Sequence, residues 1–278
     1  MTEANIDHAQ LANQLLPDII AAGHLLETYR NAGVKIEQKA DGSPVSQADR
    51  DAEGLLLAAL AEALPAIPAI GEEAVAAGTA PAPGKTCVFI DALDGTRDFV
   101  KGGEDYTVNI GVVRRGRPTF GIIYAPALAL FFATTDPGCV IEARLPHDST
   151  ARQLADLSPS PIASKKVNPN GIRLLVSRTT KQEDLDRLLA GTAITDTQRT
   201  SSSMKFCNLA RGDADIYPRF GPTHFWDTVA GHAILSASGG LVVTPDLTPF
   251  TYDTHQGTDY KNTHFIAVGD PDILSLLK

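Results

Sequence analysis

Apolar residues at Leu11, Leu15, Ile19, Ala22, Leu26 and Tyr29 recur every three to four positions, which predicts an amphipathic first helix closed by Gly33. A strand-like run at 34–37 leads into a polar loop over 39–44. Ser46 followed by Asp49 reads as the capped start of a second helix, carried by Leu55, Leu56, Leu60 and Leu64 and stopped by Pro65. Beyond a Pro- and Gly-rich loop at 78–84 the period changes. Segments 86–90, 107–114, 119–124, 130–133 and 140–143 read as strands, and turn residues at Arg115-Gly116 and Asp136-Pro137-Gly138 predict antiparallel pairings between them. Residues 144–171 are polar and rich in Pro and Ser, an irregular connector. After it the pattern gives a strand at 173–177, helices at 181–189 and 203–211, a strand at 214–218, a helix at 226–238 ended by Gly239, and strands at 241–243 and 264–268. Helices flanking mixed sheets predict a layered α+β sandwich. It would form one domain, with an N-terminal α+β half over about 1–143 and a C-terminal α/β half over about 172–278.

Composition narrows this reading. The 278 residues are 43% hydrophobic, enough for a real core. A net charge of −9, from 24 basic and 33 acidic residues, argues against a nucleic-acid surface, which needs a basic stripe. Cys87, Cys139 and Cys207 are odd in number and scattered, as expected of reduced, mostly buried thiols. The first ten residues show no signal-peptide pattern, and no stretch approaches the ~20 apolar residues of a membrane span. A cytoplasmic, soluble protein is expected.

The densest chemistry lies in Val88-Phe89-Ile90-Asp91-Ala92-Leu93-Asp94-Gly95-Thr96-Arg97-Asp98-Phe99. A short apolar strand delivers two carboxylates three residues apart, and a Gly-Thr turn follows at once. Asp91 is expected to end the strand, with the Leu93 carbonyl and the Asp94 carboxylate facing one opening. Such oxygen ligands suit a hard cation such as Mg²⁺. The backbone N–H groups of Gly95 and Thr96 suit a phosphate oxygen. Asp and Gly also populate surface turns for local reasons alone. Three distant segments shift the balance: Ser43-Pro44-Val45-Ser46-Gln47-Ala48-Asp49, Gly71-Glu72-Glu73, and Phe225-Trp226-Asp227-Thr228-Val229-Ala230-Gly231. By itself Asp227 reads as a helix cap. Beside Trp226 and the Ala230-Gly231 pair, where small residues permit close packing, it reads as a ligand.

Together and in this order, the four segments resemble the Mg²⁺-dependent, lithium-sensitive phosphatases of the inositol monophosphatase superfamily, over most of the chain. The resemblance implies the αβαβα sandwich shared with fructose-1,6-bisphosphatase. It implies two or three Mg²⁺ ions held by Glu72, Asp91, the Leu93 carbonyl, Asp94 and Asp227. It also implies a metal-bound water as nucleophile, activated by the Thr96 hydroxyl in a relay with Asp49, and no phosphoenzyme. For Asp49 the helix-capping and relay roles are compatible; Glu73 reads as a solvated acid or a supporter of its ligand neighbour. Two look-alikes fail on spacing. Gly78 to Thr86 has five residues where a P-loop requires four, and a strand follows it instead of a helix. The Asp91-Ala-Leu-Asp94 run has Leu93 where an aspartyl-phosphate phosphatase carries its second acid.

The second half narrows the substrate. Residues 200–207 (Thr-Ser-Ser-Ser-Met-Lys-Phe-Cys) and the run Tyr217-Pro218-Arg219-Phe220-Gly221-Pro222-Thr223 resemble the bacterial 3′(2′),5′-bisphosphate nucleotidases of sulfate assimilation. Those enzymes convert 3′-phosphoadenosine 5′-phosphate to AMP and phosphate. Inositol phosphatases place a glutamate near the position of Arg219; a guanidinium there suits a second phosphate. Its structural alternative is a pairing with Asp215 or a nearby carbonyl. Lys205 reads either as a second pocket cation or as a solvated lysine. Substrate contacts are thus expected from Glu72, Leu93, Asp94, Gly95, Thr96, Lys205, Arg219 and Asp227. Two departures stand out: Ala92 replaces a usual proline, and Ser177-Arg178-Thr179-Thr180 lacks a histidine common in relatives. Inositol-phosphate, histidinol-phosphate and fructose-bisphosphate phosphatases remain alternatives, and an inactive nucleotide-binding protein is the reading from another class. The expected partner is a small phosphate ester, with no nucleic acid or membrane and with a homodimer allowed.

Overall fold

The stripe Leu11, Leu15, Ile19, Ala22 and Leu26 lies buried along α1 (His8–Ala32). Asp7 starts this helix by accepting the Gln10 N–H at 2.9 Å, and Gly33, at φ 79°, closes it. The structure is a computed structural model that describes residues 6–33, 36–38, 44–178, 180–252 and 259–277, with backbone alone at 36–38 and 44–46. The expected polar loop therefore lies outside the described residues at 39–43, as do Val34, Lys35, Thr179 and the Ser46 side chain. β1 (Ile36–Gln38) and β2 (Pro44–Ser46) pair antiparallel before α2 (Gln47–Ala63), whose Ala48, Ala52, Leu56 and Leu60 share a core with α1.

Next come β3 (Ala69–Gly71), α3 (Glu72–Ala76), β4 (Thr86–Asp94), α4 (Thr96–Val100), β5 (Thr107–Arg114), β6 (Arg117–Ala125), β7 (Leu130–Asp136), β8 (Cys139–Arg144) and β9 (Ser160–Ile162). Strands β3 to β9 form a seven-stranded sheet in chain order, parallel between β3 and β4 and antiparallel thereafter. Arg115 and Gly116 both take positive φ, as a tight hairpin turn requires. The remaining elements are β10 (Ile172–Val176), α5 (Gln182–Leu188), β11 (Ile194–Arg199), α6 (Met204–Ala210), β12 (Ile216–Arg219), α7 (Phe225–Ala237), β13 (Leu241–Val243) and β14 (Phe265–Val268). Their five strands form a second sheet in the order β11-β10-β12-β14-β13.

Alternation along each strand assigns its residues to layers. On β4, Val88 and Ile90 join the core beneath α1 and α2, whereas Cys87 and Phe89 join a second core with α6 and α7. That second core also receives Leu175, Tyr217, Phe265 and Ala267 from the other sheet. The opposite face of that sheet, with Ile172, Leu174 and Ile266, packs on Leu185 of α5 and Ile273 of a final 3₁₀ turn. The stack is αβαβα, as the resemblance implied.

α7 can sit this close to its neighbours because glycines line the contact. A methyl group at Gly121 would lie 2.2 Å from the Ala230 carbonyl oxygen, and one at Gly111 would lie 2.6 Å from the Ala230 nitrogen. On the helix itself, Gly231 admits the Phe206 ring, which a methyl would approach to 2.4 Å.

Three expectations are corrected. β4 does not end at Asp91: after a bulge its pairing with β5 resumes at Asp94 opposite Thr107. Within the expected connector, β9 adds an edge strand to the first sheet, hidden from pattern reading by Pro161. β11, which the pattern does not predict, is an edge strand exposed at all but its first residue, so it carries no apolar alternation to detect. Of the three cysteines, Cys87 and Cys207 are buried and Cys139 is exposed.

The packing leads to a stability prediction. Gly121→Ala is expected to lower unfolding free energy by about 1–3 kcal/mol through overpacking. Gly54→Ala, within α2 and with no atom near its added methyl, should raise it by about 0.5–1 kcal/mol. Urea unfolding of both variants checks the pair.

Candidate active site

Parallel β3 and β4 pair Gly71 with Ile90, so the residues that follow, Glu72 and Asp91, emerge side by side. Glu72 opens α3, and buried Asp91 accepts the Leu93 N–H at 2.9 Å. From the other half of the chain, α7 brings Asp227 to the same point. The Asp227 Oδ2 accepts the His224 N–H at 2.7 Å, closing a capping box at the start of α7. One carboxylate oxygen from each of Glu72, Asp91 and Asp227 lies within 4.8 Å of the others. Asp227 is therefore a cap and a member of an acidic cluster at once.

Asp94 borders the same cavity but stands outside that trio. Ser203 Oγ lies 2.8 Å from Asp94 Oδ2 and 2.8 Å from the Asp227 carbonyl oxygen, and it accepts the Asn109 amide N–H at 2.8 Å. The Leu93 carbonyl, lifted by the bulge, accepts the Thr96 hydroxyl at 3.1 Å. Thr96 also reaches Asp49 Oδ1, buried on α2, at 3.3 Å. Gly95 turns the chain from β4 into α4 at φ 100°, where a methyl would meet the Asp105 carbonyl at 2.5 Å.

Electrostatics gives this geometry its character. Burial first, then the charges of Glu72, Asp94 and Asp227, push the Asp91 carboxyl well above the usual carboxylate range. Burial, followed by Asp94 and Glu72, does the same to Asp227. Asp94 is raised by burial, against the opposing pull of Lys205 and its hydrogen bonds from Ser203 and Asn109. These acids cannot all stay ionised at neutral pH without a compensating cation. Their donor set, carboxylates with one backbone carbonyl, fits a hard divalent ion.

The cations of the cavity were only partly legible. Lys205 is 5% exposed, which removes the solvated reading. Its ammonium donates to the Ser202 and Thr200 carbonyls at 2.6 and 3.3 Å and lies over the Tyr217 ring. Burial lowers it to about 8, although Asp94 opposes that shift. Arg219 does not pair with Asp215, because Arg173 holds both oxygens of that carboxylate at 2.7 and 3.0 Å. Instead the Arg219 Nη2 donates to the Pro222 carbonyl at 2.9 Å, and its buried Nε has no partner among the described residues. Sequence reasoning missed Asp98, a buried acid that binds Arg178 and the Ser201 hydroxyl at the cavity rim. It also missed the structural use of Ser203 and Asn109, which no local pattern reveals. The cavity, of about 520 Å³, is bordered by Glu72, Asp91, Asp94 and Asp227 together with Lys205 and Arg219.

Comparison with known proteins places the chain among phosphatases of one family. The sequence model of the inositol monophosphatase family matches residues 7–267. The chain is 32% identical over 228 residues to the 3′(2′),5′-bisphosphate nucleotidase CysQ of Salmonella typhimurium, covering 80% of this chain and 85% of that one. To the CysQ of Buchnera aphidicola it is 31% identical, with 89% of each chain covered. The crystal structure of CysQ from Bacteroides thetaiotaomicron superposes with a TM-score of 0.74 at 28% identity, over 95% of this chain and 98% of that one. An inositol monophosphatase from Anabaena, at 20% identity and a TM-score of 0.68, shares the fold.

Raised carboxyl pKa values make metal-free stability depend on pH. Asp91 and Asp227 bind protons more tightly folded than unfolded, so their contribution is complete below about pH 4 and is lost as pH rises through the raised values. With a chelator present, the melting temperature is expected to fall as pH is raised above the ordinary carboxylate range. Mg²⁺ should restore it most at the higher pH, and Asp91→Asn should flatten the slope. Melting curves that ignore both pH and Mg²⁺ would contradict this account.

Proposed function

The chain belongs to the inositol monophosphatase family, and from that premise we propose that it is a 3′(2′),5′-bisphosphate nucleotidase. As a phosphoric monoester hydrolase it would convert 3′-phosphoadenosine 5′-phosphate to AMP and phosphate. The observation that carries the reading is a single cavity bordered both by the acids Glu72, Asp91, Asp94 and Asp227 and by the cations Lys205 and Arg219. A substrate with one phosphate to cleave and another to hold matches that pairing, and the relatives named CysQ support it. Glu72, Asp91 and Asp94 come from the first half and Lys205, Arg219 and Asp227 from the second, so the two halves act as one catalytic domain.

Glu72, Asp91, Asp94, Asp227 and the Leu93 carbonyl would hold Mg²⁺. When bound, the metal neutralises phosphate charge and lowers the pKa of water. The Thr96 hydroxyl lies within reach of both the Leu93 carbonyl and Asp49 Oδ1; with its proton turned to Asp49 it would present an oxygen lone pair to the attacking water. Buried Asp49 keeps that hydroxyl oriented. Lys205, fixed by two carbonyls, and Arg219, fixed by the Pro222 carbonyl, meet the phosphate that is not cleaved. Leu93 offers no second acid for a covalent phosphoenzyme, so the displacement is direct and in line. Cytoplasmic location, a place in sulfate assimilation and inhibition by lithium complete the proposal.

Asp91→Asn is expected to lower phosphate release by at least about 100-fold while the far-ultraviolet spectrum stays native, because a ligand charge is lost from a preformed site. The same assay run with LiCl against NaCl should show selective inhibition. Near-normal turnover by the variant at saturating Mg²⁺ would remove Asp91 from the metal site.

Substrate choice rests on Arg219. Arg219→Ala should cut kcat/KM for the 3′,5′-bisphosphonucleotide by about one to two decades, the worth of a charge-assisted contact of roughly 1.5–3 kcal/mol. A 3′-monophosphate, which lacks the second group, should lose little. Equal losses on both, accompanied by a lower melting temperature, would assign Arg219 to loop structure. A panel of inositol, histidinol and fructose phosphates separates the rival phosphatases.

A further inference from the structure

One buried carboxylate beside the acidic cluster has no part in the reaction described above. Glu53, on α2, is 3% exposed. Its Oε2 accepts the Glu73 N–H and its Oε1 the Ala74 N–H, each at 2.8 Å. These are the second and third residues of α3, and Glu72 is the first. The residue before α3, where a capping side chain belongs, is Gly71, which makes no such bond. A methyl group at Gly71 would lie 2.3, 2.4 and 2.6 Å from the Glu53 carboxyl carbon and its two oxygens. The glycine therefore leaves the space in which a carboxylate from another helix performs the capping. α3 has only five residues and buries none of them fully, with Val75 alone packed against the second core, so helical cooperativity cannot hold its first turn in place.

We propose that Glu53 is a positioning residue, seated by Gly71, which clamps the first turn of α3 and so sets the affinity of the site for a divalent cation by fixing the Glu72 carboxylate against Asp91 and Asp227. The proposal rests on the reading of Glu72 as a metal ligand. Glu53 never touches the substrate. The two backbone N–H bonds it accepts hold the peptide on the C-terminal side of Glu72, while the pairing of Gly71 with Ile90 holds the peptide on the other side. With both sides held, the Glu72 side chain starts from a defined point. Without Glu53, two N–H groups lose their acceptor and the turn is free to shift.

Four full-length variants test this: Glu53→Gln, Gly71→Ala, the two combined, and Glu72→Gln. Mg²⁺ affinity is read by calorimetric titration and by the Mg²⁺-induced rise in melting temperature. KM for the bisphosphonucleotide is read separately, at saturating Mg²⁺. Glu53→Gln keeps the side-chain volume but replaces one accepting oxygen by an amide that cannot accept. It is expected to weaken Mg²⁺ binding about 10- to 100-fold with KM changed by less than about twofold. Gly71→Ala should reproduce the effect by displacing the carboxylate, and the combined variant should be no weaker than the weaker single one, since both break the same contact. Should Glu53→Gln fail to fold, Glu53→Asp keeps the charge, shortens the reach and should weaken Mg²⁺ in the same way. Wild-type Mg²⁺ affinity in folded Glu53 variants, beside a clear loss in Glu72→Gln, would overturn the positioning role alone. Unchanged affinity in Glu72→Gln itself would overturn the ligand reading, and the proposal with it.

Discussion

Carboxylates gathered in a buried cleft repel one another, and the architecture around this cleft is arranged to keep them together. Glu72, Asp91 and Asp227 approach within 4.8 Å through elements from both halves of the chain. No local contact among the three favours that approach; burial and mutual charge raise both Asp91 and Asp227. The force that holds them is elsewhere, in the register of β3 on β4 and in the seating of α7 against Gly111 and Gly121. Apolar burial in the two cores that flank the seven-stranded sheet stabilises the repulsive site indirectly.

That division of labour places hydrogen bonds between the acids and the surrounding backbone. Ser203 joins the Asp94 carboxylate to the Asp227 backbone and to Asn109. Asn262 donates to the His224 carbonyl and to both Thr223 and Thr228, bracing the start of α7. In a region of low dielectric each such bond is stronger than in water, and each missing partner costs more. Repulsion among the acids can then be stored in the fold instead of being relieved by movement.

Much of this was readable from residues 88–99, where a strand, two spaced acids and a Gly-Thr turn stand in immediate succession. The αβαβα layering followed from element order together with family resemblance. Edge strands escaped detection for a physical reason: β11 is exposed and β9 contains proline, so neither shows the alternation that burial imposes. The burial of Lys205 was equally invisible, because its partners are backbone carbonyls whose positions depend on tertiary structure. Glu53 lay on a helix whose apolar spacing was evident, yet its partners are N–H groups twenty and twenty-one residues away. Nothing in a local pattern points that far.

The two kinds of charge around the cavity also impose an order on binding. A phosphate dianion facing Glu72, Asp91 and Asp227 would meet repulsion until a cation stands between them, whereas Lys205 and Arg219 attract an anion from the outset. In a chain of net charge −9 the cavity is a local exception, since Arg97, Lys101 and Arg178 border it along with those two cations. On the proposed reading, the phosphate that stays on the substrate would be held by the protein's own side chains, while the phosphate to be cleaved would be admitted only once a cation occupies the acidic cluster. Affinity and reactivity would then fall to different side chains of the same cavity. Such a separation would let recognition of the ester change through the cationic side alone, with the acidic centre left as it is.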